Sequence, residues 1–196
     1  MGNDPGGSVY LLLGRLFKVH AIFDDVLLAL LERDPTGVVA FIAEPQEPLT
    51  ALAWGRLDAR AAATDRSNLM DRVRPVDYWN YVNVLSNARV ILDTHPYGGC
   101  LTALDALSNG VPLVVLPGPS ERGRHAASIY KQMGLEDFVT SNAEEYVDVA
   151  ARLGTDDAFH RDAVARIRSR YPDAHRAPEL AAEWAAAFLR MARGAR

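Results

Sequence analysis

The sequence predicts an α/β fold, a doubly wound, Rossmann-like parallel sheet flanked by helices. One observation is a series of short apolar segments rich in Val, Leu and Ile, as in strands whose two faces are both covered. A second observation is that segments with apolar residues at helical spacing separate these runs. Alternation of the two types is typical of a parallel sheet with crossover helices.

The first half of the chain follows this alternation with one interruption. A strand is predicted over Ser8–Leu13, and a helix follows over Phe23–Arg33, whose acidic start and basic end suit the helix dipole. The next strand is predicted over Val38–Ala43. Residues 44–70 carry two prolines and an Ala/Arg-rich stretch, and no element is predicted there.

The second half repeats the alternation. The helix predicted over Asp77–Asn87 has Asp77 as a candidate N-cap, and two strands are predicted over Ala88–Leu92 and Pro112–Leu116. Five more helices are predicted, over Thr102–Ser108, Glu121–Met133, Ala143–Leu153, Asp157–Arg170 and Pro178–Met191. Pro178 suits a first helical position, and the last helix has Trp184 and Phe188 on one face.

Composition limits the class of protein. The 196 residues are 49% hydrophobic and 23% charged, which suits one globular domain with a sizeable core. We expect residues 1–7 to be a flexible lead-in and residues 8–196 to form a single domain. A net charge of −4 argues against a nucleic-acid or anionic-membrane partner. One cysteine, Cys100, excludes an internal disulfide and a structural zinc site.

Targeting signals are not recognisable in the sequence. No apolar run has the length of a membrane span, and Arg15 interrupts the apolar segment near the start, which has no basic region before it. We therefore expect a soluble protein of the cytoplasm or nucleus.

The segment from Leu92 to Leu107 combines features of an anion site. A buried strand ends at Asp93, and a turn with Gly98 and Gly99 leads into a helix. The two glycines permit positive φ angles and a close approach of ligand to main chain. The N–H groups of residues 100–102 and the helix dipole favour an anion such as a diphosphate. A plain strand–turn–helix connection explains the same pattern, and this alternative stays open.

The run from Leu92 to Asp105 resembles the donor-site segment of the O-linked N-acetylglucosamine transferase family, written in relatives as LDTxPYNGxTTTLDAL. The segments 110–118, 124–128 and 133–135 fit the same family, and the resemblance covers about Ser8 to Arg170. It implies a GT-B glycosyltransferase, in which two Rossmann-like domains face each other across a cleft. This chain is similar to the C-terminal, nucleotide-sugar-binding lobe with its final helix, and we expect it to lack the N-terminal catalytic lobe.

The resemblance also implies roles for individual residues. Lys18 falls where the family has a lysine that contacts the donor diphosphate, and it is the candidate catalytic residue, neutralising charge on the departing nucleotide. Asp105 corresponds to the ribose-binding aspartate. The other implied diphosphate contacts are Gly99, Cys100, Leu101 and Thr102, and the implied base contacts are Val76, Tyr78 and Tyr81.

Two of these assignments, and two further histidines, have open alternatives. Lys18 could be a solvated lysine in a loop, and Tyr81 could belong to the core face of its helix rather than stack on the base. His95 and His125 lie on the predicted donor face, where they could contact sugar or phosphate or have no role. The five histidines show no metal-ligand spacing.

The implied function is transfer of N-acetylglucosamine from UDP-GlcNAc to Ser or Thr of a protein acceptor. Retaining GT-B enzymes place two glutamates after the glycine turn, whereas Asp105 is the only acid between Tyr97 and Ser120, so an inverting reaction is favoured. No Asp-x-Asp triplet occurs, and no metal or other cofactor is expected. The isolated lobe is expected to be inactive, because a full-length chain or a partner chain must supply the N-terminal lobe.

Departures from the family pattern keep two other functions open. The threonine run is reduced, with Cys100 and Leu101 ahead of the retained Thr102, and Gly98 replaces an asparagine that is common in relatives. The same fold could use GDP-fucose or UDP-glucose. The chain could also be a non-catalytic nucleotide-binding or interaction module.

Overall fold

The computed structural model describes residues 7–43, 47–175 and 178–194. Its strands are β1 (Val9–Leu12), β2 (Val38–Ile42), β3 (Val73–Val76), β4 (Val90–Leu92) and β5 (Leu113–Val114). All neighbouring strands are parallel, and the sheet has the order β3-β2-β1-β4-β5. The predicted fold class is therefore confirmed.

Eight α-helices are assigned within the described residues. They are α1 (Ile22–Arg33), α2 (Glu47–Ala63), α3 (Tyr81–Asn87), α4 (Leu101–Ser108), α5 (His125–Met133), α6 (Ala143–Thr155), α7 (Asp157–Arg170) and α8 (Pro178–Gly194). Short 3-10 turns connect several of them to the strands. None of these helices has the length and apolar character that crossing a membrane requires.

The sheet reverses its direction of growth at β1. Leu11 pairs with Ala40 of β2 on one side and with Ile91 of β4 on the other. The chain runs outward from β1 through β2 to β3, then returns to place β4 against the free side of β1. The carboxyl ends of β1 and β4 thus form a topological switch point, the place where open α/β sheets bind their ligands.

The core lies between the sheet and its helices. The central strands are buried except at their first residues in β1 and β2, and α1 packs against α6 through the edge-on contact of Phe23 with Tyr146, whose ring centroids are 5.4 Å apart. Tyr130 of α5 is also buried, and its hydroxyl accepts a hydrogen bond from the N–H of Leu113 at 2.9 Å. These contacts fix β4 and β5, and with them the strand ends that carry the switch point.

Helix α2 and strand β3 were not predicted. The helix begins beside Pro48, a residue tolerated in a first helical turn, and its small residues give little amphipathic pattern. Strand β3 contains Arg74 and Pro75, both exposed, and proline lacks the N–H that a central strand must donate. Strand β3 forms because it lies at the edge of the sheet, where the missing N–H of Pro75 is tolerated.

Two predicted helices are shorter than expected. The segment 121–133 divides into a 3-10 turn (Glu121–Gly123) and α5, and the segment 77–87 divides into a 3-10 turn (Tyr78–Asn80) and α3. Asp77 was the candidate N-cap of this helix. Its Oδ1 accepts a hydrogen bond from the N–H of Trp79 at 2.8 Å, so it caps the 3-10 turn and not α3.

The two ends of the chain are only partly described. The predicted lead-in lies outside the described residues except for Gly7. The final helix is present as α8, and Trp184 and Phe188 share a face, with ring centroids 5.6 Å apart.

Candidate functional site

A cleft opens at the switch point between β1 and β4. It has a volume of about 350 Å³, within the range of ligand pockets. Its walls are Leu13, Gly14, Arg15, Lys18, Ile42, Tyr81, Thr102 and Asp105. Four residues predicted to bind the donor therefore meet in one cleft: Lys18, Tyr81, Thr102 and Asp105. Gly99, Cys100, Leu101 and Val76 are not among its walls.

Lys18 lies on the 3-10 turn that follows β1 and is half-buried. Its Nζ donates to the carbonyl of Gly98 at 3.3 Å. The same atom lies 4.3 Å from the centroid of the Tyr97 ring, a cation–π contact. The ammonium is thus held against the turn that follows β4, although Lys18 is distant from that turn in sequence.

The turn after β4 is braced by the chain around it. The bond between His95 and Pro96 is cis, and the Thr94 hydroxyl donates to the Tyr97 carbonyl at 2.6 Å. The N–H of Gly98 donates to the carbonyl of Arg122 at 3.1 Å. Together these contacts hold the turn against the segment before α5.

Gly98 and Gly99 are needed for space, not for positive φ as the sequence suggested. Neither is among the residues with positive φ. A Cβ on Gly98 would lie 2.6 Å from Oδ2 of Asp93, and a Cβ on Gly99 would lie 2.3 Å from Oγ1 of Thr102. The two glycines therefore do not use the positive φ that the residue type permits, and close packing against side chains is the reason for glycine.

Asp93 is a buried carboxyl group beneath this turn, with 2% of its surface exposed. Its Oδ1 accepts from the N–H of Gly99 at 2.7 Å. Burial raises the pKa of Asp93 to about 7, against the lowering effect of the N–H groups of Gly99 and Thr94 and of the Lys18 charge. The sequence marked Asp93 only as a strand end. A carboxyl directly after a fully apolar strand was the available signal.

The amino end of α4 faces the cleft. Cys100 is the N-cap, and its side chain makes no capping hydrogen bond. The first N–H groups of a helix have no partner within the helix, so this end can receive an anion. Thr102 is half-buried, whereas Cys100 is exposed and Leu101 is 74% exposed. Of these side chains, the Thr102 hydroxyl is the polar one at the cleft.

Asp105 of α4 and Tyr81 of α3 form a polar pair in the wall of the cleft. The Tyr81 hydroxyl donates to Oδ2 of Asp105 at 2.9 Å. Tyr81 is half-buried in α3, and Asp105 is exposed one turn into α4. The pair therefore presents a hydrogen-bonded carboxylate to the cleft.

The other two predicted base contacts, Val76 and Tyr78, lie at the end of β3 and directly after it. Val76 is half-buried at the carboxyl end of β3, where it pairs with Ile42. Tyr78 lies in the 3-10 turn after β3, and its side chain is outside the described part of the structure. Their proximity to a bound base stays a prediction.

The two histidines on this face differ in their surroundings. Nδ1 of His95 lies 3.0 Å from the carbonyl oxygen of Leu116, a contact within the protein. His125 is the first residue of α5 and is half-buried. In the described ranges, no three His, Cys, Asp or Glu side chains are grouped so that they could hold a metal.

A larger depression of about 960 Å³ lies at the amino ends of the strands. Several of its polar groups are engaged within the protein: Arg89 pairs with Asp157, and Asp34 accepts from the Tyr10 hydroxyl and from the N–H groups of Thr36 and Gly37. The functional site is assigned to the smaller cleft, because its position at the switch point and its lysine favour an anionic ligand.

Comparison with known proteins gives a consistent result. Residues 9–176 match the sequence model of glycosyl transferase family 41. The chain is 35% identical over 77 residues to the probable UDP-N-acetylglucosamine–peptide N-acetylglucosaminyltransferase SPINDLY of Solanum lycopersicum, covering 39% of this chain and 8% of that protein. It is 41% identical over 69 residues to a UDP-N-acetylglucosamine–peptide N-acetylglucosaminyltransferase of Caenorhabditis elegans, covering 35% of this chain and 6% of that protein.

Solved structures extend the likeness over nearly the whole chain. A mutant of the Thermobaculum terrenum O-GlcNAc transferase matches with a TM-score of 0.79 and 27% identity, covering 97% of this chain and 37% of that one. TarM matches with a TM-score of 0.66 and 14% identity, covering 91% of this chain and 34% of that one, a likeness of fold alone. The chain spans less than a tenth of the two curated relatives and about a third of the two solved structures.

Proposed function

We propose that this chain binds the donor UDP-GlcNAc for a protein O-glycosyltransferase. The premise is that the chain belongs to glycosyl transferase family 41 and has the GT-B half-domain fold. The reaction proposed is inverting transfer of N-acetylglucosamine to a Ser or Thr hydroxyl of a protein. The relatives whose names state this activity are much longer than this chain. A second lobe is therefore proposed to bind the acceptor, and the isolated lobe is proposed to be inactive.

The cleft at the switch point carries this proposal. It combines a cation, a helix amino end and a carboxylate within one volume of about 350 Å³. Lys18 and the start of α4 suit a diphosphate, because both offer positive charge and N–H donors. Asp105 lies one turn along α4, where its carboxylate suits the two ribose hydroxyls as acidic residues do in other Rossmann-type sites. Diphosphate and ribose are joined in this order in a nucleoside diphosphate.

Lys18 is proposed to act in the reaction as well as in binding. When the bond between sugar and nucleotide breaks, negative charge develops on the departing diphosphate. A fixed ammonium stabilises that charge more than it stabilises the bound donor, which lowers the barrier. No group of this chain is assigned as the base that activates the acceptor hydroxyl.

Tyr81 is proposed to contribute to the base subsite together with Val76 and Tyr78. Its hydroxyl is bonded to Asp105, which fixes the ring at the wall of the cleft. An aromatic ring in that position can stack on a planar base. The proposed diphosphate contacts from Gly99, Cys100 and Leu101 are main-chain contacts, because Gly99 has no side chain and Leu101 has an apolar one.

Gly99 limits this assignment. Its N–H donates to Asp93 in the described structure, so it is not available to a diphosphate in this arrangement. The N–H groups of the first turn of α4 are the better candidates.

One observation favours the non-catalytic alternative. Cys100 and Leu101 provide no hydroxyl at the helix start, where Leu101 is 74% exposed. Fewer side-chain donors would weaken diphosphate binding, as in a domain that has kept the fold but lost the reaction.

Calorimetric titration with UDP, UMP, uridine and GDP separates these functions. We expect UDP to bind more tightly than UMP, uridine to bind weakly and GDP to bind more weakly than UDP. Tighter binding of GDP would favour a GDP-sugar donor. A comparison of UDP-GlcNAc with UDP-glucose tests the sugar. Absence of binding by every nucleotide at millimolar concentration would contradict the proposal and favour an interaction module.

A further inference from the structure

The peptide unit between Gly98 and Gly99 is held from both sides, by the Asp93 carboxyl group and by the Lys18 ammonium. The N–H of Gly99 donates to Oδ1 of Asp93 at 2.7 Å. The carbonyl of Gly98 accepts from Nζ of Lys18 at 3.3 Å. In a planar trans peptide the N–H and C=O point in opposite directions. The orientation that satisfies Asp93 therefore also directs the carbonyl toward Lys18, and turning this peptide would break both hydrogen bonds.

Asp93 is the fixed member of this arrangement. Its own N–H donates to the carbonyl of Val114 at 3.1 Å, and its carbonyl accepts from the Tyr146 hydroxyl at 3.1 Å. Its carboxyl is buried, and Oδ2 lies where a Cβ on Gly98 would be only 2.6 Å away. The carboxyl group therefore has little freedom to move, and the glycine peptide follows its position.

Lys18 is the adjustable member. Lysine side chains have many rotamers, and this one is half-buried at the edge of the cleft. Its described contacts are with the Gly98 carbonyl and the Tyr97 ring, both on the turn after β4. The contacts that hold the ammonium are thus on the turn after β4, outside the segment that carries Lys18.

We propose that Asp93 is a positioning residue for Lys18: by fixing the Gly98–Gly99 peptide, it places the ammonium where the diphosphate of the donor binds. The inference rests on the proposed function, because the diphosphate is the group that the ammonium would meet. Asp93 itself is buried beneath the turn and acts through the peptide, in addition to its direct charge interaction with Lys18.

The charged and titratable groups around Asp93 define the conditions of a test. Lys18 faces its carboxyl group, and the buried hydroxyls of Tyr130 and Tyr146 interact with it electrostatically. Both tyrosines have pKa values raised mainly by burial, so they stay neutral. Because burial raises the pKa of Asp93 to about 7, measurements at pH 8 examine the ionised carboxylate.

The position of Lys18 can be measured without nucleotide. The chain has only two lysines, Lys18 and Lys131, so lysine-labelled protein gives two sets of side-chain NMR signals. Lys18 lies over the Tyr97 ring and should show ring-current shifts, whereas Lys131 is exposed and serves as the internal reference. We expect Asp93→Ala to move the Lys18 signals toward the Lys131 values, and Asp93→Asn, which keeps an acceptor oxygen, to restore most of the shift.

Asp34→Ala is the matched control. Asp34 is also a buried aspartate that accepts from a glycine N–H, but it lies at the amino end of β2, away from the cleft. It should leave the Lys18 signals unchanged. If Asp93→Ala does not fold, Asp93→Ser replaces it, because a serine hydroxyl is too short to reach the Gly99 N–H in the same way. Unchanged Lys18 signals in the folded variant would overturn the inference.

A double-mutant cycle measures the effect on the donor site. Asp93→Ala should weaken UDP binding about tenfold and uridine binding less than about twofold, since the effect passes through a contact to the diphosphate. In a Lys18→Met background the same substitution should change UDP affinity less than about twofold. Equal losses with and without Lys18 would overturn the inference. Failure of the parent protein to bind UDP would instead contradict the proposed function, and the Lys18 signals would still decide the role of Asp93.

Discussion

Replacing Lys18 by methionine is the most direct test of the diphosphate site. The substitution keeps the length of the side chain and removes the ammonium. In the protein without donor it removes a hydrogen bond of 3.3 Å to Gly98 and a cation–π contact of 4.3 Å to Tyr97. Both involve a half-exposed group, so the loss in free energy of unfolding should be about 1 kcal/mol or less. The variant should therefore fold.

The loss in nucleotide affinity should be larger than this. A hydrogen bond to a charged group is worth about 1.5–3 kcal/mol, which corresponds to about 10- to 150-fold weaker UDP binding. Uridine has no phosphate to lose, and its affinity should change less than about twofold. Calorimetry with UDP, UMP and uridine on parent and variant gives the difference between nucleotides directly.

Lys131→Met is the matched control for the Lys18 variant. Lys131 is exposed on α5 and does not line the cleft, so its loss should leave all three affinities unchanged. Equal weakening of UDP and uridine in Lys18→Met would refute the reasoning, because it would show that Lys18 supports the site without contacting the diphosphate.

Three further predictions follow from the same geometry. Asp105→Asn should weaken UDP binding about tenfold with an unchanged melting temperature, and the loss should shrink for 2′,3′-dideoxy-UDP; an unchanged affinity would remove Asp105 from the ribose site. Gly98→Ala should lower the free energy of unfolding, measured in urea, by about 1–3 kcal/mol, because its Cβ would lie 2.6 Å from Asp93. The control Gly55→Ala, in the open part of α2, should raise the free energy of unfolding by about 0.5–1 kcal/mol. Equal effects of the two substitutions would contradict the packing argument. The free energy of unfolding should fall by at most about 4 kcal/mol as pH rises from about 4 to 7. The reason is that Asp93 keeps its proton in the folded protein up to a pKa of about 7, whereas the unfolded carboxyl loses its proton near 3.8. Asp93→Asn should remove this slope in urea titrations across the pH range, and an unaltered slope would assign it to another group.

The sequence was sufficient for the fold class and most elements, because their signals are local. Apolar runs located four of the five strands, and the helices predicted from 143 and 157 are α6 and α7 in the structure, with side chains of Asn142 and Asp156 as their N-caps. Strand β3 was not predicted because Arg74 and Pro75 interrupt its apolar pattern. Its position at the edge of the sheet is what allows this sequence to form a strand.

The candidate site shows the same division between local and tertiary information. The sequence identified the turn with Gly98 and Gly99 and the start of α4, since glycines and a helix start within a few residues form a contiguous motif. It could not show that Lys18 reaches across to the Gly98 carbonyl, because that contact depends on the pairing of β1 with β4. It also could not show that Tyr81 of α3 bonds to Asp105 of α4, because the two residues are 24 positions apart.

Asp93 shows which properties of the site the sequence determines and which depend on the tertiary structure. The sequence alone placed an aspartate at the end of an apolar strand and two glycines five and six residues later. Only the folded chain buries that carboxyl, directs it at the Gly99 N–H and leaves no room for a Cβ on Gly98. The reason is physical: strand and helix propensities act over neighbouring residues, whereas desolvation and close packing depend on every segment that surrounds a group.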